Sequence, residues 1–191
     1  MYLSVIVPAY NEEKRIEVTL KSIDAYLSRQ HYDYEIIVVS DGSKDNTASL
    51  VHSLGLGIRG FYLIENKENH GKGFVVKQGM LEAKGELRLF MDADNSTSID
   101  NLDKFIPYIN EGFDLVIGSI AVKGHKVAAG SEPIWRRVLG KLGNLFIQIM
   151  AVPGIHDTQR GFKLLTAKAA QHIFPKLTVA RFGFDIEVLA L

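Results

Sequence analysis

The stretch Leu87-Arg88-Leu89-Phe90-Met91-Asp92-Ala93-Asp94-Asn95-Ser96 decides how this chain is read. A short apolar run of strand length passes directly into two carboxylates spaced i and i+2. Strand alternation puts Asp92 and Asp94 on one side, where they repel each other unless a cation sits between them. Oxygen ligands favour Mg²⁺ or Mn²⁺, so these two residues are the candidate metal ligands. An ion held there can bridge a nucleotide diphosphate and neutralise it as a leaving group. Helix capping by Asp94 and Asn95 is the plainer reading, and it leaves Asp92 unexplained.

Working outward, the same kind of apolar run recurs at 3–7, 35–39, 60–64 and 115–117, with the central one over 86–91. Segments of helical period lie between them at 12–27, 46–54, 73–83 and 101–111. Near-continuous apolar strands separated by helices predict an α/β fold with a mainly parallel sheet covered on both faces. Its ligand site is expected beyond the carboxyl ends of the strands. After Gly118 the pattern changes to an aperiodic stretch over 119–133 and then a strongly amphipathic one over 134–150. In the latter, Trp135, Val138, Leu139, Leu142, Leu145, Phe146 and Ile149 fall within about 120° of arc, with Arg136, Arg137 and Lys141 opposite. That helix either covers the sheet or lies in a membrane interface with Trp135 at headgroup depth. A further helix is expected around 167–173.

The 191 residues suit a single domain with a sizeable core. Cysteine is absent, which excludes disulfides, thiolate metal sites and a cysteine nucleophile. The 22 Lys and Arg balance 22 Asp and Glu, which argues against a generally basic nucleic-acid binder. The balance is a cancellation. Residues 1–120 carry 12 basic and 18 acidic side chains, whereas residues 121–181 carry 10 basic and 2 acidic. Two surfaces with different partners are expected. No basic leader precedes the first strand, and no run approaches the ~20 apolar residues of a membrane span.

Two further strand ends carry chemistry. Pro8-Ala9-Tyr10-Asn11-Glu12-Glu13 ends the first, with Tyr10 offering a stacking face, and Ser40-Asp41-Gly42-Ser43-Lys44-Asp45 ends the second. Asp41 is placed to accept from a base edge or ribose hydroxyl, while Asp45 reads as a helix cap. Asn69-His70-Gly71-Lys72-Gly73 opens a helix, where glycine permits close backbone approach and Lys72 suits a phosphate. His156-Asp157-Thr158-Gln159-Arg160-Gly161-Phe162-Lys163 reads as a substrate-facing loop. Arg181-Phe182-Gly183-Phe184-Asp185-Ile186-Glu187 is divided between a functional role and aromatic packing with Asp185 as a cap.

Taken in order, PAYNEE, DGSKDNT, NHGKG, MDADNST, DTQRGFK and RFGFDIEVL resemble the family 2 glycosyltransferases of the GT-A fold. Within that family they are similar to the polyprenyl-phosphate branch, dolichyl-phosphate β-glucosyltransferases above all. The resemblance spans the chain as one catalytic domain, 1–118 being its nucleotide-sugar part and 119–191 its acceptor part. It implies a nucleotide-sugar pocket at Pro8, Tyr10, Glu12, Asp41, Lys72, Asp92, Ala93 and Asp94, with Asp92 and Asp94 as the metal-binding DxD. It implies acceptor-side roles for Asp157, Gln159 and Arg160. Asp157 either positions the acceptor or acts as a base; Asp94, Asp157 and Arg160 form the catalytic set. Family members carry Arg after the Gly-Ser that ends the fifth strand, where this chain has Ile120. Arg136, Arg137 and Lys163 are therefore the substitute acceptor-phosphate contacts.

The activity so implied is inverting, Mg²⁺- or Mn²⁺-dependent transfer of a hexose from UDP-glucose or GDP-mannose to a polyprenyl phosphate such as dolichyl or undecaprenyl phosphate. The expected setting is the cytoplasmic face of a membrane, in peripheral contact, with the oligomeric state open. The alternatives are a transferase acting on another sugar or polysaccharide, and a silent nucleotide-sugar-binding subunit. The Gln-x-x-Arg-Trp signature of processive synthases is absent, since Arg160 directly follows Gln159. Relatives continue beyond the segment after FDIE, so a truncated chain is expected.

Overall fold

A computed structural model describes residues 1–119, 152, 155, 158 and 160–191. Its elements are β1 (Leu3–Ala9), α1 (Ile16–Leu27), β2 (Tyr34–Asp41), α2 (Thr47–Gly55), β3 (Phe61–Asn66), α3 (Lys72–Glu82) and β4 (Leu87–Met91). There follow α4 (Leu102–Asn110), β5 (Leu115–Ile117), β6 (Phe162–Thr166), α5 (Ala167–Ile173) and α6 (Phe184–Ala190). Short 3₁₀ turns at Ile99–Asn101 and Phe174–Lys176 lead into α4 and extend α5.

The sheet runs β3-β2-β1-β4-β6-β5. β1 pairs in parallel with β2 and β4, and β2 in parallel with β3. β6 lies antiparallel to both β4 and β5. The sheet is thus mixed but mostly parallel. Phe162–Thr166 is where the expectation fails: Phe162 and Lys163, read as the end of a loop, begin a buried strand instead.

The two faces follow from strand alternation. Leu3, Val5 and Val7 of β1, with Ile36 and Val38 of β2, meet Ile16, Leu20, Ile23 and Leu27 of α1. The alternate residues Ile6, Ile37 and Val39 meet Val75, Val76 and Met80 of α3, together with Phe174 and Phe184. Each such buried aliphatic side chain contributes about 1.5–3 kcal/mol. α1 starts at Ile16 rather than near residue 12 because residues 12–15 turn: the Ile16 N–H donates to the Glu12 carbonyl at 2.9 Å, while the Glu12 N–H reaches Thr47 Oγ1 at 2.7 Å.

At the amino ends of the strands, away from the site described below, buried polar groups fasten the turn between α3 and β4. Ser4 Oγ donates to Glu35 Oε1 at 2.6 Å, the Lys84 N–H donates to that same oxygen, and the Gly85 N–H donates to Ser4 Oγ. Arg88 donates to the Met80 carbonyl at 2.5 Å, and burial lowers its pKa against the opposing pull of Glu35. Among the described residues, no helix is long and apolar enough to cross a membrane.

Candidate active site

A cavity of about 340 Å³ opens at the carboxyl ends of β1, β2 and β4. Pro8, Ala9, Tyr10 and Glu12 come from the end of β1, Asp41 from β2, Asn69, Gly71 and Lys72 from the turn into α3, and Asp92, Ala93 and Asp94 from the end of β4. All eight residues expected to form a nucleotide-sugar pocket therefore line one cavity. Tyr10 is 41% exposed and presents its ring.

Two loops are tied to each other at the rim. The Asn11 N–H donates to Ser43 Oγ, and the Lys44 N–H donates back to Asn11 Oδ1 at 2.8 Å. Asp45 stands one residue before the cap position of α2, which is Asn46, and its Oδ1 accepts from the Thr47 N–H at 3.0 Å. Burial raises the Asp45 pKa, but bonds from the Thr47 side chain and the Thr47 and Glu13 amides outweigh it, and the net shift is downward.

Asp41 lines the cavity and also holds the neighbouring turn. Its side chain is buried, and its oxygens accept from the His70 N–H at 2.8 Å, the Gly71 N–H at 2.8 Å and Asn69 Nδ2 at 2.9 Å. Those bonds make it an organiser of the 69–71 turn as well as part of the cavity wall. Gly71 sits at φ 100°, and a Cβ there would meet the Ala180 carbonyl oxygen and Arg181 Cγ. Glycine is thus required for the turn that delivers Lys72 to the first position of α3. The positive end of that helix adds to the ammonium beside the cavity.

Asp92 and Asp94 both face the cavity, but β4 ends at Met91, so they occupy the turn beyond it. Asp94 Oδ1 accepts from the Ser96 N–H at 2.9 Å, and Asn95 between them has φ 54°. Lys72 Nζ lies 2.6 Å from Asp92 Oδ1, and Arg15 Nη1 lies 3.9 Å from Asp94 Oδ2. Protein cations therefore compensate part of the carboxylate repulsion. Among the described residues, no group of three His, Asp or Glu side chains is placed to hold a metal. Two carboxylates beside a cavity fit Mg²⁺ or Mn²⁺, which commonly take one or two carboxylates, with substrate phosphates and water completing the shell.

Lys163 requires a correction. It is 2% exposed, packed inside β6, and ion-paired to Asp185. Strand alternation turns it inward, which withdraws it from an acceptor phosphate. Asp185 correspondingly is a buried ion-pair member in the first turn of α6, and Gly183 occupies the cap position. Arg160 is partly exposed. Ile120, Arg136, Arg137, Asp157, Gln159 and the expected helix over 134–150 lie outside the described residues, as does most of the basic segment.

Arg181 and Phe182 also line the cavity, and Phe182 is 86% exposed. They were not among the expected pocket residues. The alternation of aromatic and charged residues over 181–187 was their only trace in the sequence, since nothing local indicates that 179–184 folds back onto the start of α3. The Phe74 N–H to Ala180 carbonyl bond, at 2.9 Å, makes that return.

The family model for glycosyl transferase family 2 matches residues 4–174. The chain belongs to this family. A dolichyl-phosphate beta-glucosyltransferase of Trichomonas vaginalis is 41% identical over 202 residues, covering 100% of this chain and 59% of the relative. The Homo sapiens dolichyl-phosphate beta-glucosyltransferase is 34% identical, covering 98% of this chain and 61% of the relative. The chain thus spans less than two thirds of the length of these relatives. Among solved structures, glucosyl-3-phosphoglycerate synthase from Mycobacterium tuberculosis, in complex with Mn²⁺, UDP-glucose and phosphoglyceric acid, superposes with a TM-score of 0.73. It is 18% identical and covers 98% of this chain and 63% of its own. Residues 1–349 of S. aureus TarS, in complex with UDP-GlcNAc, give a TM-score of 0.62 at 21% identity, covering 99% and 53% of the two chains. At such identities the likeness is one of fold, and the fold is GT-A.

Proposed function

We propose that this glycosyltransferase chain moves glucose from UDP-glucose to a polyprenyl phosphate of the dolichyl type, with inversion and with a divalent ion. The observation that carries the reading is the meeting of Asp92, Asp94 and Lys72 in one cavity at the ends of parallel strands. The names of the Trichomonas and human relatives support glucose and dolichyl phosphate as donor sugar and acceptor.

Asp92 and Asp94 would hold Mg²⁺ or Mn²⁺, which supplies Lewis-acid stabilisation of the departing diphosphate. Tyr10 offers a stacking surface for the base, and Asp41 keeps the 69–71 turn in place. Lys72 sits 2.6 Å from Asp92, near enough to place positive charge beside a diphosphate held at that carboxylate. An acceptor phosphate oxygen is already anionic near neutral pH, so it needs little help from a base. The remaining task is holding two anions together, for which Arg160, Arg136, Arg137 and Gln159 are the candidates, with Asp157 positioning the acceptor or serving as a base. A lipid acceptor requires work at a membrane surface, and the proposed setting is peripheral contact with its cytoplasmic face.

Incubating the full-length protein with Mn²⁺, polyprenyl phosphate and radiolabelled UDP-glucose, and separately GDP-mannose, tests this reading. Label in the lipid extract from UDP-glucose is expected. Label only in a water-soluble or polysaccharide product would refute the lipid acceptor.

A further inference from the structure

Behind the cavity lies a pair of ionisable groups for which the transfer chemistry has no use. Lys163 of β6 and Asp185 of α6 form a buried ion pair, and neither lines the cavity. Burial pulls the lysine pKa down and the aspartate pKa up, so neither charge is comfortable there without its partner. Replacing such a pair with apolar residues of similar volume is often neutral or stabilising, so fold stability is a poor reason for keeping it.

The Lys163 ammonium makes a second bond, donating to the Arg160 carbonyl. The next residue, Gly161, accepts the Asp92 N–H at 2.9 Å. Gly161 also lies so close to the Asp92 carboxylate that a Cβ on it would overlap both carboxylate oxygens. Phe90, opposite Lys163 in the β4–β6 register, links the two ion pairs: its ring centre is 5.6 Å from the Lys163 ammonium and 5.4 Å from that of Lys72. On its other contact, Phe90 meets Phe184 of α6 edge-on at 5.8 Å.

We propose that Asp185 and Lys163 are positioning residues for Asp92: the pair pins the Arg160 carbonyl, and the turn through Gly161 seats the Asp92 backbone and carboxylate. Through this chain, α6 sets the geometry of a carboxylate in the diphosphate pocket without touching the ligand. The identity of that ligand rests on the function proposed above; the seating of Asp92 does not.

The test is Lys163→Met/Asp185→Leu in the full-length protein, read three ways. Thermal unfolding is expected to stay at or above the parent's midpoint. Amide exchange at Asp92 is expected to accelerate at least tenfold, with β1 amides unchanged. Calorimetry with UDP and Mn²⁺ is expected to show about tenfold weaker binding, the usual scale for losing a group that orients a metal ligand. If the double variant fails to fold, Lys163→Met alone, which takes the ammonium away from the Arg160 carbonyl and leaves an aspartate that can protonate, is read by the same exchange measurement. Unchanged exchange at Asp92 overturns the positioning role whether or not UDP binds. Faster exchange in a protein whose parent ignores UDP and Mn²⁺ upholds the positioning role and overturns the functional reading.

Discussion

Lys72 Nζ and Asp92 Oδ1 lie 2.6 Å apart, joining the first residue of α3 to the first residue beyond β4 across the cavity. Both side chains are only about a quarter exposed, at 26% and 27%, so the contact is partly shielded from solvent. Pairs that solvent still reaches contribute on the order of 1 kcal/mol or less, so we propose that this charge serves the diphosphate site more than the fold. Lys72→Ala is accordingly expected to leave the melting temperature within a few degrees of the parent while lowering kcat/KM on the order of 10²-fold, as for loss of one preorganised electrostatic group. A variant with parental turnover would remove Lys72 from the mechanism.

Asp94 is more exposed than Asp92, accepts from the Ser96 amide and faces Arg15 at 3.9 Å. Asp94→Asn keeps an oxygen for that amide while removing the charge. Folding should be unaffected, whereas Mn²⁺-dependent UDP binding by calorimetry should fall by at least tenfold. Equal affinity in the variant and the parent contradicts a metal-ligand role for Asp94.

Gly161 tests the packing beneath Asp92. A single methyl group, Gly161→Ala, would be driven into the Asp92 carboxylate. Overpacking of this kind costs about 1–3 kcal/mol. Reduced UDP–Mn²⁺ affinity, together with a lowered denaturation midpoint, is the expected pair of results; an unchanged affinity means that the cavity wall relaxes around the methyl.

Acid should loosen the segment that carries Arg181. Glu187 accepts from the Thr178 N–H at 2.9 Å, Thr178 Oγ1 at 2.7 Å and the Val179 N–H at 2.8 Å. Partial burial raises its pKa, but those bonds prevail and hold it below the ordinary value of 4.5. A depressed carboxylate contributes stability in full above pH 4.5 and loses it as the pH falls through the lower folded-state value. Melting temperatures followed from pH 7 into this acid range should therefore fall less steeply for Glu187→Gln than for the parent. Parallel profiles would show that Glu187 is not a source of the acid sensitivity.

Much of the architecture was legible because its cause is local. The apolar runs that became β1, β2, β3, β4 and β5, and the helical periods between them, record which residues must face a core, and they order themselves into βαβ units. The pair Asp92 and Asp94 was legible too, because carboxylates have little reason to follow a buried strand directly. β6 was hidden. Its sequence Phe-Lys-Leu-Leu-Thr carries a lysine where a buried strand should be apolar, and what makes that position tolerable includes a partner 22 residues away, Asp185.

The sequence by itself determined a mostly parallel α/β sheet, membership of a glycosyltransferase family, and the carboxylates and lysine around which a diphosphate site is read. Tertiary structure decided which charges are available to a ligand. It engaged Asp41 with the 69–71 turn while leaving it on the cavity wall, withdrew Lys163 behind Phe90, and brought Arg181 and Phe182 to the cavity. The physical reason is that period and composition report a residue's preference for water or core, whereas a charge is freed or consumed by partners that folding brings from distant parts of the chain.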